Sequence, residues 1–410
     1  METPHLWTKI NVHLMNITKK KTRSLIYITE RFLDRTGNLQ LDVELHASGG
    51  SGVENLVTRF FELFKRKGTF SRWRSLSLNV SEDMTLPFCF PEVRDIDKFT
   101  NLKYIKFVSR PPRTCLDLIS TTVTSNLHTL ELGAHYFCLH NFHEEYRRII
   151  GLITVIHLWS TVHLPGKYPF PPNVTTMQAY ALPDIPIPDI KHLYVKTLKI
   201  ELFSSLNPVN IVSMIIHVSI SGSPANVTVN LPNLLWLTLK QKAFFALQAF
   251  KAPSLHTLVI ENSLLEVQTI QGPLIHVLRS FHVSKLLMFF LDIRLDSGAT
   301  GEVMRLFPEL SRLELHYPDA ESAQKALRHV YSSGENYDIC PDMDVIKIIL
   351  DAPPSEEFAW KQVVWDLAEE VGRTFWRLDT SWPGGAYSRN VGRGKRKRVR
   401  FIYPWRSPGN

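Results

Sequence analysis

The chain of 410 residues has only four cysteines, Cys89, Cys115, Cys138 and Cys340, without the paired spacing of a zinc ribbon and too few for a disulfide scaffold. Reduced, structural thiols are expected. Long apolar runs are also missing. The most apolar segments, Ile211 to Ile220 and Leu286 to Ile293, are about half the ~20 residues that cross a bilayer. No basic leader precedes an apolar run, so a chain made without a secretory signal is expected, with no membrane contact and a cytoplasmic or nuclear location. The sequons at Asn16, Asn79, Asn173 and Asn226 then read as turn residues rather than glycan sites.

Catalytic signatures are equally scarce. No Gly-x-Ser-x-Gly elbow is present, so an enzyme is not expected. His46-Ala-Ser-Gly-Gly-Ser-Gly52 is glycine-rich but lacks the Gly-Lys-Ser/Thr that reaches phosphates, and reads as a strand-to-helix turn. His135, Cys138, His140 and His143 cluster before an expected helix at Asn141 to Ile150, yet their spacing fits no zinc module. Loop and core roles are expected there, and neither a metal nor a cofactor.

Charge is unevenly placed. Of the net +8, seven excess charges fall in residues 391–410, on Arg393, Lys395, Arg396, Lys397, Arg398, Arg400 and Arg406, with no acid, which leaves +1 for the body. A protein that holds nucleic acid on its main face needs a basic stripe along that face. Contact with nucleic acid, or a nuclear import signal, is therefore expected only through this tail, where Phe401, Tyr403 and Trp405 stand nearby. A solvated, disordered terminus explains the same residues.

What the chain does contain is a recurring hexamer. Leu234-Leu-Trp-Leu237-Thr-Leu239 returns as Leu255-His-Thr-Leu258-Val-Ile260, with apolar residues at the first, fourth and sixth positions. Such a segment leaves a turn and then alternates as a short strand, the core of a leucine-rich repeat. The template fits Trp7, Ile10 and Val12; Trp73, Leu76 and Leu78; Leu102, Ile105 and Phe107; Leu127, Leu130 and Leu132; Ile153, Ile156 and Leu158; and Val174, Met177 and Ala179. Further copies are read at Val195, Leu198 and Ile200; Ile215, Val218 and Ile220; Leu278, Phe281 and Val283; Leu310, Leu313 and Leu315; and Val345, Ile348 and Leu350. From Ile153 to Leu255 the intervals run 21, 21, 20, 19 and 21, and regular spacing is what unrelated apolar hexamers lack. The asparagine that commonly follows such strands is missing from most copies, so irregular repeats are expected.

Between the strands, Leu25, Ile28, Phe32 and Leu33 predict a helix over 22–36 stopped by Gly37. Val53, Leu56, Val57, Phe60 and Phe64 predict another, stopped by Gly68. Strand and helix in alternation ask for a parallel sheet. The expected fold is an α/β leucine-rich-repeat solenoid, a curved parallel sheet with helices and loops on the convex side. Residues 21–352 would form the solenoid. A capping helix would occupy 353–380, started by Ser355 with Trp360, Val364, Leu367, Val371, Phe375 and Leu378 as its apolar stripe, and 381–410 would be the basic tail.

Thr3-Pro-His-Leu-Trp7-Thr-Lys-Ile10, followed by Ser24-Leu-Ile-Tyr-Ile-Thr-Glu-Arg-Phe-Leu-Asp34 and by Trp73-Arg-Ser-Leu76, resembles the F-box and leucine-rich-repeat proteins of mushroom-forming fungi. In that family a Thr-Pro-x-Leu-Trp segment closes the F-box. The resemblance implies that residues 1–20 are an F-box remnant joined to the first strand. It further implies the substrate receptor of a Skp-cullin-F-box ubiquitin ligase, non-catalytic and monomeric outside its complex. The adaptor-binding helices of the F-box would precede Thr3, so a Skp-type adaptor and cullin are expected as partners only with an F-box restored upstream.

Residues that alternate with the template face the other side of the pleat. Tyr104, Lys106, His157, Trp159, Gln178, Tyr180, Lys199, Glu201, Trp236, Lys240, His282 and Arg312 are thereby expected on the concave face, where they would bind a protein target. A one-residue slip would send them into the core instead.

Overall fold

The computed structural model describes residues 8–15, 19–48, 51–80, 99–108, 126–132, 152–158, 172–182, 189–199, 207–221, 228–261, 271–281, 283, 285–332, 340, 343–351, 377–382 and 385–390. The chain is an α/β protein in two units: residues 1–264 with 279–284, and residues 265–278 with 285–410.

In the first unit a parallel sheet of eleven strands follows chain order: β1 (Lys9–Met15), β2 (Leu41–Ser48), β3 (Trp73–Val80), β4 (Tyr104–Phe107), β5 (Thr129–Leu132), β6 (Val155–Leu158), β7 (Thr176–Ala181), β8 (His192–Lys199), β9 (Ser213–Ser221), β11 (Trp236–Lys240) and β13 (Thr257–Glu261). The short strands β10 (Val229–Asn230) and β12 (Phe250–Lys251) pair separately. Each neighbour enters in the same phase. Ile10, Val43, Leu76, Ile105, Leu130, Ile156, Met177, Leu193, Met214, Leu237 and Leu258 stand side by side in one unbroken row. All eleven are buried. At ~25 cal/mol per Å² of apolar surface, each fully buried aliphatic chain contributes roughly 1.5–3 kcal/mol, so this row is the spine of the core.

Two backbone devices repeat with the strands. The first template residue closes a tight turn onto the carbonyl three residues back, as in Leu102 N to Phe99 O, Leu234 N to Leu231 O and Leu255 N to Ala252 O. The carbonyl of the residue after it then accepts two N–H groups from the next copy: Lys103 O from His128 and Thr129, Val212 O from Leu235 and Trp236. An asparagine placed just before the template ties copies together. Asn101 Nδ2 donates to Ser71 O at 2.6 Å, Asn126 Nδ2 to Thr100 O at 2.6 Å and Asn233 Nδ2 to Val209 O at 2.9 Å. The asparagine missing after most strands thus has a counterpart before three of them.

Helix α1 (Lys19–Thr36) and helix α2 (Ser51–Arg66) run as the apolar spacing predicts. Val57, Phe60, Phe61, Leu63 and Phe64 of α2 are buried, and Phe61 and Phe64 pack with Phe70, Trp73 and Phe99 in one aromatic cluster with centroids 5.1–6.5 Å apart. Gly37 and Gly68 end the helices at φ +51° and +62°, left-handed values that strain any residue with a Cβ. The link after β11 is a 3-10 stretch, Gln241–Ala249, which buries Phe244 and Leu247.

In the second unit, β14 (Met288–Arg294), β15 (Arg312–Tyr317), β16 (Val345–Leu350) and β17 (Arg377–Trp382) are parallel, and β18 (Gly385–Asn390) pairs antiparallel with β17. Helices α3 (Gln271–Ser280, its last two residues in the first unit), α4 (Ser297–Leu306) and α5 (Ala320–Ser332) alternate with them. Asp296 caps α4 by accepting from Ala299 N at 2.8 Å, and Thr300 Oγ1 meets Tyr317 Oη at 3.0 Å in the core.

Several expectations are corrected. Three copies were phased wrongly, and a fourth, at Val345, was set two residues late. The buried template residues are Ile190, Leu193 and Val195; Ile211, Met214 and Ile216; and Leu286, Phe289 and Leu291. Leu278 lies in α3, and Ile215 is on the other face from Met214. The intervals from Ile153 to Leu255 become 21, 16, 21, 23 and 21, so part of the apparent regularity came from the misplaced copies. Val345 is half-exposed and Met343 takes its place in the core, two residues earlier. The end of the expected capping helix, including Leu378, is strand β17, and residues 385–390 of the expected tail are strand β18. The rest of that helix lies outside the described residues, as do the expected helix at 141–150 and residues 391–410.

Candidate functional site: the polar face of the sheet

Period-two alternation gives the first unit's sheet a second face. Along its middle row Glu44, Ser77, Lys106, Glu131, His157, Gln178, Tyr194, Ile215, Thr238 and Val259 stand in register, one per strand from β2 to β13. Most are half-buried, and along β4 and β6 half-buried residues alternate with buried ones. Parallel in-register stacking places side chains of neighbouring strands about 4.8 Å apart, so opposite charges on adjacent strands meet.

Tyr104, Lys106 and His157, three of the predicted residues, converge on Glu131. Lys106 Nζ is 2.6 Å from Glu131 Oε1, His157 Nδ1 is 3.5 Å from Oε2, and the Tyr104 hydroxyl donates to the same carboxylate. The Glu131 side chain is 6% exposed. Burial opposes its charge, but the bonds from His157, Lys106 and Tyr104 outweigh that cost and hold the carboxyl at about 2, while burial and Glu131 push the Tyr104 phenol well above its usual range. Sequence reasoning missed Glu131. Its signal was there, since it alternates between Leu130 and Leu132 as Lys106 does between Ile105 and Phe107.

Toward β1 the carboxylates are likewise matched. Asp42 accepts from Arg74 and from Ser75 Oγ at 2.8 Å, and these bonds lower its pKa against the cost of burial. Glu44 meets His46 Nε2 at 2.9 Å and Lys9 Nζ at 3.4 Å, and His13 stacks on His46 with centroids 4.4 Å apart.

From β7 to β11 the face changes character. Tyr180 is exposed, with the Lys196 ammonium 5.1 Å from its ring centre. Tyr194 and His217 have centroids 6.5 Å apart. The Trp236 indole is half-buried and donates to Thr238 Oγ1 at 2.9 Å; Lys240 Nζ is 2.8 Å from Glu261. His192 Nδ1 lies 2.8 Å from Ser213 Oγ, and burial, with Lys191 nearby, lowers its pKa. His192, Tyr194, Lys196 and His217 were not foreseen, because the misphased copies sent their neighbours to the wrong face. The turn asparagine Asn210 ahead of Ile211 marked the correct phase.

Among the other predicted residues, Gln178 lies in the row beside His157. In the second unit the Arg312 guanidinium lies 5.4 Å over the Phe290 ring, and Lys347 reaches Glu314 at 3.1 Å. Lys199 ends β8 beyond a register irregularity at Thr197 and Leu198, and its side chain lies outside the described residues. Trp159, Glu201, His282 and the tail residues Arg393, Lys395, Arg396, Lys397, Arg398 and Arg400 also fall outside them, as do His135, Cys138, His140 and His143. Among the described residues no group of three His, Cys, Asp or Glu side chains could hold a metal ion, and no helix is long and apolar enough to cross a membrane.

Fold and face together define an α/β protein with a long parallel sheet, apolar on one side and carrying ordered polar and aromatic groups on the other. Comparison with protein-family models and with curated proteins finds no match.

Proposed function

We propose that the chain is a leucine-rich-repeat solenoid acting as a non-catalytic recognition module, which grips a protein target with the polar face of its sheet. One observation carries this reading: charged, aromatic and imidazole side chains stand in register across successive strands on a face whose partner face is wholly apolar. A rigid backbone holding Tyr and Trp half-exposed loses little side-chain entropy on contact, which favours interface anchoring.

The more specific role, the substrate-binding part of an F-box-type ubiquitin-ligase receptor, rests on the resemblance carried by residues 3–10, 24–34 and 73–76. A Skp-type adaptor and cullin would join through an F-box upstream of Thr3. Affinity capture of the chain from its own cells, with Trp236→Ala and Tyr194→Ala as controls, tests both levels. The recognition reading expects a protein whose recovery falls with either substitution while unfolding stays cooperative. Recovery independent of both would count against it, and capture that never includes a Skp-type adaptor would remove the ligase role alone.

A further inference from the structure

The polar face is not uniform, and its second half has a charge excess that the first half lacks. On β1 to β6 the carboxylates Asp42, Glu44 and Glu131 are each matched by a cation, Arg74, Lys9 and Lys106. The four strands β7, β8, β9 and β11 contain no Asp or Glu at all, yet they carry Lys196, Lys199 and Lys240 together with His192 and His217. Lys240 is paired with Glu261 of β13. Among the described residues Lys196 meets no carboxylate and lies instead over the Tyr180 ring.

His217 registers this field. Burial first, and then the charges of Lys240 and Lys196, lower its pKa, and its Nδ1 is buried with no hydrogen-bond partner among the described residues. Tyr194 packs against the same imidazole and Trp236 stands two strands from Tyr194 on the same face. Cations, an imidazole ring and aromatic rings are thus gathered on one face.

We propose, resting on the recognition reading above, that Tyr180, Tyr194, Lys196, His217, Trp236 and Lys240 form the docking patch for an acidic peptide segment of the partner. Carboxylates of such a segment complete the charge that Lys196 lacks, while its apolar groups cover the tyrosine and tryptophan rings. A peptide fits better than a nucleic acid. The two lysines of the patch do not make the stripe of cations a phosphate backbone requires, and the Tyr180 and Tyr194 rings already face Lys196 and His217 instead of standing free for base stacking.

Fluorescence anisotropy on the full chain tests this with a labelled decapeptide of alternating Glu and Gly, its Lys-Gly counterpart and a labelled decanucleotide RNA. The Glu-Gly peptide is expected to bind in preference to the Lys-Gly one. Lys196→Glu should weaken it about tenfold, with unchanged thermal unfolding because that side chain is exposed. Lys65→Glu, on α2, should leave it within about twofold. Equal binding of both peptides, or insensitivity to Lys196→Glu, overturns the proposal, and RNA binding that is tighter and lost with the same substitution replaces it by a nucleic-acid site. If a captured protein still depends on Tyr194 and Trp236 while the acidic peptide fails, only the acidic assignment falls. If nothing depends on this face, the recognition reading falls with it.

Discussion

Lys106 Nζ lies 2.6 Å from Glu131 Oε1, across two adjacent parallel strands that place the residues directly side by side. Glu131 is the most enclosed carboxylate on the polar face among the described residues, and its three partners keep it ionised far below the ordinary Glu value of 4.5, at about 2. A depressed carboxyl pKa adds stability that is fully present above the unfolded value and is lost as pH falls through the folded one. Glu131→Gln should therefore cost about 2–3 kcal/mol near neutral pH. The difference from the wild type should shrink between about pH 4.5 and about pH 2, the two values set by the shift. Urea unfolding at several pH values measures it, and a pH-independent difference would mean that Glu131 acts through packing alone.

The two faces predict opposite consequences for adjacent residues. Leu237 is fully buried in the core row, so Leu237→Ala should cost about 2–5 kcal/mol through lost contacts and a residual cavity. Trp236, its neighbour, is half-buried on the polar face, so Trp236→Ala should cost much less stability and reduce partner recovery instead. Paired thermal melts and capture assays separate them, and a larger stability loss at Trp236 would place it in the core.

Periodicity made the core legible where strands were preceded by plain turns. Leu102, Leu127, Leu234 and Leu255 all stand at the first template position, and all are buried. It failed in the stretch 190–221, because Ile215 beside Met214 and Ile216 offers a second phase that alternation alone does not reject, and because the register irregularity at Thr197 and Leu198 buries Leu198 out of step with Leu193 and Val195. The site was legible to the same degree. Tyr104, Lys106 and His157 were placed by alternation, but their meeting point Glu131 was not, since convergence depends on which strands are neighbours. The C-terminal segment failed for another reason. The stripe that ends at Leu378 has helical spacing, yet pairing with β16 and β18 makes its last residues a strand, a tertiary preference that overrides the local one.

Gly37 ends α1 at φ +51° with open space around the missing Cβ. Gly37→Ala should then destabilise by about 1 kcal/mol through backbone strain alone. Chemical denaturation measures this, and a neutral or stabilising effect would show that the turn relaxes to negative φ.

Cys340 is buried, and its thiol lies 3.3 Å from Phe307 O and 3.4 Å from Met304 O. Burial pushes it up to about 12. It should resist iodoacetamide in the folded protein near pH 8 and react only on unfolding, as peptide mapping would show. Rapid native labelling at this position would contradict the packing described for the second unit.

The central claim is that the polar face, and not the helices, meets the partner. Replacing Tyr194 on that face, and separately the exposed Tyr27 on α1, with a photo-crosslinking benzoylphenylalanine tests it most directly. The account predicts that illumination in the protein's own cells joins a partner to position 194 and not to position 27. A partner captured from position 27 alone, with position 194 silent, would contradict it.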